Sequence, residues 1–181
     1  MTAPILELNG LAGVGKFTIG RIVAGQIGAR LIDNHMIYNP ALATTDFGSA
    51  AFFAAVRAVR DIVFERVAAL PAETPVVLTI APGRNRAWGA EWQQAIRELA
   101  QRREAPLFGV HLSCTDAEGA RRIATPSRAA MRKLTDPAVI ATGDRPVLLD
   151  HCDNVLDLDV TRLDAGESAA AILRWLEIRG G

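Results

Sequence analysis

Residues 10–18 read Gly10-Leu11-Ala12-Gly13-Val14-Gly15-Lys16-Phe17-Thr18, directly after the apolar run Ile5-Leu6-Glu7-Leu8-Asn9. A strand feeding a glycine-rich turn, with lysine at the start of a helix, is a phosphate-binding arrangement. Successive backbone N–H groups point inward in such a turn, and the helix N-terminus adds positive potential. The spacing Gly10-x4-Gly15-Lys16 matches the P-loop pattern, in which the lysine reaches the β- and γ-phosphates. The hydroxyl expected next is displaced by one place to Thr18, with Phe17 between. Ala12, Gly13, Val14, Gly15, Lys16, Phe17 and Thr18 are therefore the expected contacts to nucleotide phosphates, and Thr18 is an expected metal ligand.

Beyond this motif, helical and extended patterns alternate. Ile19, Ile22, Val23 and Ile27 fall at helical spacing, with Gly28 as a stop. Ala29 to Ile32 reads as a short strand ending at Asp33-Asn34-His35. Phe52, Val56, Val59, Val63 and Val67 mark one face of a longer helix. Pro75 to Ala81 is a buried-type strand closed by Pro82-Gly83, and Trp88, Trp92, Ile96 and Leu99 mark another helix. Leu107 to Leu112 and Val155 to Val160 are the remaining strands, the last followed by a helix through Ala169, Ile172, Leu173 and Leu176. Strands alternating with helices predict an α/β fold, a five-stranded parallel sheet with helices on both faces. Ligands in such sheets bind at the carboxyl ends of the strands, where the P-loop, Asp33, the Pro82 to Arg86 turn and the segment after Leu112 all fall.

The 181 residues suit one domain, 1–181, with Thr125 to Asp150, rich in Pro, Arg and Asp, as an irregular insertion. Lys+Arg and Asp+Glu number 20 each, so no long-range charge favours nucleic acid or a membrane surface as partner. Cys114 and Cys152 sit in no metal-ligand spacing, and a reducing cytoplasm is the expected compartment. No run approaches the roughly 18 apolar residues of a membrane span.

Asp33 ends the second strand, close to where a γ-phosphate and its magnesium would lie. A carboxylate there can accept a proton from an attacking hydroxyl, hold a magnesium-bound water, or both; taken alone, Asp-Asn is also good helix-cap chemistry. His35, two residues on, is a candidate contact to the acceptor. No acidic residue lies in Val76 to Ala81, where a hydrolytic ATPase carries its Walker B aspartate. That argues against a motor or switch ATPase and moves metal binding toward Thr18 and Asp33. Arg121, Arg122, Arg128, Arg132 and Lys133 crowd the segment after the fourth strand, as a charge-stabilising flap or as an ordinary solvated basic face. Arg128, in Pro-Ser-Arg, is the member best placed to swing inward. Arg57 and Arg60 on a helix flank, with Arg84 and Arg86 after the third strand, are candidates to frame an acceptor pocket suited to an anion. Trp88 and Trp92 read as core or crevice wall, and His151 with Cys152 makes only two ligands, short of a metal site.

With these features assembled, the chain resembles the nucleoside monophosphate kinase and shikimate kinase group of P-loop kinases. Gly15-Lys16-Phe17-Thr18 is similar to the adenylate kinase variant, in which one residue separates lysine from threonine. Asp33 and His35 occupy places like the two acids of the shikimate kinase Asp-x-Asp motif, the second being replaced here. Arg122 to Asp136 looks like the corresponding segment of bacterial P-loop kinase-like proteins. The shikimate kinase triple glycine is replaced by Pro82-Gly83-Arg84, and the long lid and acceptor signature of adenylate kinases are absent. The resemblance implies strand order 2-3-1-4-5, a lid over about 115–145, and Mg-ATP as donor. It implies a kinase acting on a small metabolite, as a monomer or homodimer. In that reading Lys16, Asp33 and Arg128 are catalytic, Arg122 contacts the nucleotide, His35, Arg57 and Arg84 contact the acceptor, and Thr18 and Asp33 serve the metal. A nucleotide-binding sensor or scaffold that transfers nothing, or a slow NTPase, is the alternative.

Overall fold

The computed structural model describes residues 2–81, 86–124 and 149–180. Pro82 to Asn85, and with them Arg84, lie outside the described residues, as does most of the expected lid with Arg128, Arg132 and Lys133. The elements run β1 (Ile5–Gly10), α1 (Lys16–Ile27), β2 (Arg30–Asp33), α2 (Asn34–Thr44), α3 (Ala50–Ala68), β3 (Val76–Ile80), α4 (Arg86–Arg103), β4 (Leu107–Ser113), α5 (Asp116–Ile123), β5 (Asn154–Asp159) and α6 (Ala165–Gly180).

All pairings are parallel, and the strand order is β2-β3-β1-β4-β5, with β1 in the centre. The fold class is the one the alternation of strands and helices predicts, and the order is the one the resemblance implies. The strand boundaries move by a residue: β2 runs on through Asp33, and β5 begins at Asn154. Two helices were not expected. One is α2, which carries Pro40 inside it, and the other is α5, capped by the Thr115 hydroxyl that accepts from Glu118 N.

Side chains alternate across each strand, so the sheet has two distinct faces. Leu6, Leu8, Val77, Val110 and Leu112 pack with Ile19 and Val23 of α1 and Ile172 of α6. Ile5, Val76 and Leu78 point the other way and pack with Ile37 of α2, Phe52, Val56 and Phe64 of α3, and Trp88, Trp92, Ile96 and Leu99 of α4. The same alternation puts Glu7 and Asn9 of β1 on the α2–α4 face beside Ile5, although both are polar and almost fully buried. Polar side chains in the central strand of a core are costly unless partnered, and their partners are described below.

Arg103, at the end of α4, ties the base of that face together. It is buried, and its guanidinium donates to the carbonyls of Val67, Leu70, Pro71 and Thr74, which closes the turn between α3 and β3. Among the described residues no helix is long and apolar enough to cross a membrane.

Candidate active site

The turn after β1 needs glycine for two reasons. Gly13 and Gly15 adopt φ of 92° and 97°, a region that side chains with a Cβ rarely enter. Space is short as well: a Cβ on Gly10 would sit 2.3 Å from the Leu112 carbonyl oxygen, and one on Gly13 would meet Gly119 O and Ile123 Cγ1 at 3.0 Å. The turn is thus pressed between β4 and α5.

Gly15 is the N-cap of α1, makes no side-chain cap, and the first turn of α1 contains no acidic residue. The first turn of α1 therefore brings no negative charge of its own to the positive end of the helix dipole. This fits a polyphosphate. The Lys16 ammonium donates to the carbonyls of Gly10 (2.6 Å) and Leu11 (2.8 Å), folded back over the turn it follows. Thr18 is exposed, and Phe17 is half-buried beside it.

Arg122 lies against the same turn. Its guanidinium donates to Glu118 (2.6 Å), to the Val160 carbonyl (2.9 Å) and, more distantly, to the Val14 carbonyl (3.4 Å). It tethers α5 and the end of β5 to the turn. Arg121 forms a two-pronged pair with Glu118 on the exposed side of α5. The Arg121 hydrogen bonds, followed by those of Arg122, pull the Glu118 carboxyl down to about 2.

Asp33 closes β2 and is buried. As the N-cap of α2 it makes no side-chain cap bond. Its Oδ1 instead accepts from the Thr79 hydroxyl of β3 at 2.5 Å, while that hydroxyl accepts from Asn34 N at 3.2 Å. Thr79 occupies the strand end where a Walker B acid is absent, and it holds the carboxylate in place. Sequence reasoning did not single it out; the register pairing Asp33 with Thr79 is the signal, and it exists only once the sheet is assembled. Parallel strands stand about 4.8 Å apart, so Asp33, two strands from β1, lies roughly 10 Å across the sheet edge from the line of the P-loop strand. His35 is in the first turn of α2 rather than in a loop at the strand exit.

Beside Asn34 a small cleft opens on the α2–α4 face, and neither Asp33 nor His35 is among its described lining residues. Its walls are Tyr38, Trp88 and Trp92, its rim Asn34 and Ala81, and its floor Glu7 and Asn9. The aromatic rings brace one another: Trp88 Nε1 donates to Tyr38 Oη at 2.8 Å, Tyr38 stacks on Trp92 at 5.9 Å, and the two indoles meet edge to face at 6.3 Å. Burial pushes the Tyr38 phenol up. Trp88 and Trp92 are thus core and crevice wall at once.

Arg57 and Arg60 stand behind this wall. Arg57 forms a fork with Glu91 (2.8 to 3.1 Å) and lies 5.0 Å from the Trp88 ring centre. Arg60, buried, bonds to Glu91 (2.9 Å) and Asp61 and lies 5.5 Å from the Trp92 ring centre. The Arg57 fork, with help from Arg60, holds the Glu91 carboxyl below the ordinary range. Both arginines are committed to acids and ring faces, and neither lines the cleft among the described residues. His151 Nε2 bonds to Glu7 Oε2 at 2.8 Å. Glu7, His151 and Cys152 bring one ligand atom each within 4.8 Å of one another, so the fold adds a third potential ligand to the two that the sequence offers, and burial pushes the Cys152 thiol strongly up.

No family model and no curated protein sequence matches the chain. Solved structures do. Shikimate kinase from Acinetobacter baumannii, in complex with shikimate, superposes with TM-score 0.62 at 20% identity, covering 98% of this chain and 95% of that one. Shikimate kinase from Bacteroides thetaiotaomicron gives 0.60 at 18% identity over 98% and 99%, and a gluconokinase from Sinorhizobium meliloti 1021 gives 0.55 at 15% over 98% and 95%. The chain has the fold of the shikimate kinase-like P-loop kinases.

Proposed function

We propose that the chain is an ATP-dependent kinase that phosphorylates a hydroxyl of a small molecule seated in the cleft beside Asp33. The observation that supports this best is a juxtaposition at one sheet edge: a glycine turn opening α1 with no acid in its first turn, a buried carboxylate fixed by Thr79, and a cleft that begins at the next residue, Asn34. Kinases of sugars, shikimate and gluconate among the structural neighbours agree with it.

In this reading the amides of Gly13 to Thr18 hold the phosphates, and Lys16 swings on its four-carbon stem from the Gly10 and Leu11 carbonyls toward the transferring group. Asp33 orients the acceptor hydroxyl and takes its proton as the new O–P bond forms and the bond to the departing ADP oxygen breaks. Thr18 and Asp33 are the residues that would serve Mg²⁺, whose part is to neutralise phosphate charge. Arg122 steadies the cradle from α5, and Arg128 is the proposed clamp from the lid. His35 borders the acceptor site. Arg57 acts through Trp88 and Glu91.

A nucleotide-binding sensor is the second reading, favoured by Phe17 in the hydroxyl position and by Thr79 in place of an acid on β3. A kinase calls for a cleft lined by Asp33, His35 and arginines, and the described lining includes none of these, so the cleft does not separate the two readings. A screen of metabolites for ATP-dependent phosphorylation decides between them. The expected result is transfer to at least one hydroxyl compound, reduced about a thousandfold in a folded Asp33→Asn variant. Full turnover in that variant removes Asp33 from the chemistry, and nucleotide binding with no transfer to any compound favours the sensor.

A further inference from the structure

Glu7 lies in the central strand, and the fold lays the turn before β5 against it, 144 residues on in sequence. His151 Nε2 meets Glu7 Oε2 at 2.8 Å, and Cys152 joins them so that one ligand atom from each falls within 4.8 Å of the others. No other three His, Cys, Asp or Glu side chains converge in this way among the described residues. The backbone makes room for the group. Gly109 of β4 pairs in register with Glu7, and a Cβ there would meet Cys152 Sγ at 2.9 Å and Cys152 Cβ at 3.2 Å. The glycine leaves β4 bare beside Glu7, and the thiol packs onto it. Hydrogen bonds fix the turn: Cys152 N donates to Leu149 O (3.0 Å), Asp153 N to Leu107 O (2.8 Å), and Leu107 N to Asp153 Oδ2 (2.8 Å).

A second observation points the same way. The side chains of Glu7 and His151 are 1% and 0% exposed, and Asn9 Nδ2 donates to Glu7 Oε1 at 2.9 Å. That bond orients the carboxylate from outside, as the partners of metal-bound carboxylates do. His151 Nδ1 and Asn9 Oδ1 are buried without a hydrogen-bond partner among the described residues. Buried polar atoms are nearly always paired, so two exceptions beside one cluster of ligand side chains call for an ion or its ligand shell. The contact between Glu7 and His151 does not compete with an ion. Nitrogen and oxygen ligands of tetrahedral zinc stand about 3.3 Å apart, given bonds of about 2.0 to 2.1 Å. Reaching that spacing takes a small side-chain motion, in which one hydrogen bond gives way to two bonds to the ion. Closure to solvent is what a structural site requires. Sulfur and imidazole ligands select zinc-class ions over Mg²⁺ and Ca²⁺, which take oxygen ligands.

We infer that Glu7, His151 and Cys152 form a site for a divalent transition-metal ion of the zinc class, which staples the central strand to the turn that opens β5. On binding, the thiol gives up its proton, and the ring binds as neutral imidazole with its one N–H on the nitrogen away from the ion. The fourth position of a tetrahedral ion takes an oxygen, from water or from Asn9 Oδ1. A clip that closes so long a stretch of chain restricts the unfolded state most, so the ion acts on stability. The site is independent of the kinase reading, since Thr18 and Asp33, proposed for Mg²⁺, take no part in it. It reverses the expectation that His151 and Cys152 fall short of a metal site, because β1 supplies the third ligand.

The test uses the full chain without an affinity tag, and Zn²⁺ or Co²⁺ as the added ion. One equivalent of Zn²⁺ should bind per chain and raise the Tm by about 5 °C or more. Co²⁺ in its place should give the intense visible bands of a tetrahedral ion together with a thiolate-to-cobalt charge-transfer band. Cys152→Ser should abolish that band and weaken Zn²⁺ binding by at least about tenfold, whereas Cys114→Ser should leave both unchanged. X-ray absorption on the Zn²⁺-loaded wild-type chain depends on no variant folding. It should show one sulfur at about 2.3 Å, with nitrogen and oxygen at about 2.0 to 2.1 Å. An adventitious ion only, with no stoichiometric binding, overturns the inference. So does a zinc shell without sulfur, a charge-transfer band that survives Cys152→Ser, or one that disappears in Cys114→Ser. Those results leave the kinase reading intact, and the expected zinc binding in a chain that transfers no phosphate would uphold the site while the kinase reading falls.

Discussion

On the α1 side of the sheet edge the site is made of backbone, whereas on the α4 side it is made of side chains. The cradle depends on Gly13 and Gly15 at positive φ, on Gly10 pressed against Leu112, and on a first turn of α1 that holds no acidic residue. The cleft depends on Glu7 and Asn9 from β1, Tyr38 from α2, and Trp88 and Trp92 from α4, none of which has an unusual backbone. A backbone site can be specified by a short contiguous stretch and, in the proposed reading, serves one chemical task, holding phosphate. A side-chain site is assembled from distant stretches and can be retuned residue by residue. The chain shares its fold with shikimate and gluconate kinases at 15 to 20% identity.

Mutations that break this contrast have effects of graded size. Lys16→Ala should lower phosphoryl transfer about a thousandfold with the fold intact by circular dichroism, because one cation is lost where charge develops. A drop of less than tenfold would mean that the lysine remains on the Gly10 and Leu11 carbonyls throughout. Thr79→Val keeps shape but removes the hydroxyl that donates to Asp33 Oδ1, and turnover should fall by roughly a hundredfold with little change in nucleotide affinity. A fall in nucleotide affinity instead would move Thr79 to the donor side.

Stability sharpens the same comparison. Gly10→Ala should cost about 3 kcal/mol or more in denaturant unfolding, since its Cβ would clash with backbone that cannot rotate away. Tyr38→Phe removes only an acceptor for Trp88 Nε1 and should cost about 1 kcal/mol. Equal losses would erase the distinction between the two materials. The smallest effect is at α5. The Glu118 carboxyl is depressed in the folded chain, so its contribution is present above the ordinary value of 4.5 and lost as pH falls toward about 2. Its NMR titration should have a midpoint near that lower value, and Arg121→Ala should raise it.

The contiguous half of this architecture was legible in the sequence. Strand, glycine turn, lysine and helix occur within residues 5–27, and apolar periodicity located the remaining strands to within a residue or so. What was illegible has physical causes. Pro40 reads as a helix breaker and hid α2, in which the neighbouring turns and packing against α3 compensate for its missing donor. The arginines of 121–122 drew attention as a flap and obscured the short capped helix that carries them. Glu7 and Asn9 looked like ordinary strand residues, because nothing local shows which face of β1 is the cleft floor. Thr79 acquires its role only through cross-strand register with Asp33. Arg57 was a reasonable anion-binding candidate until its partner, 34 residues away, was known.

The most direct test of the two-part site is a crystal structure with ADP bound. The account predicts phosphates on the amides of Gly13 to Thr18, Lys16 displaced from Gly10 and Leu11, and the cleft between Tyr38, Trp88 and Trp92 still open. A nucleotide lodged in that aromatic cleft, with the glycine turn bare, would contradict it.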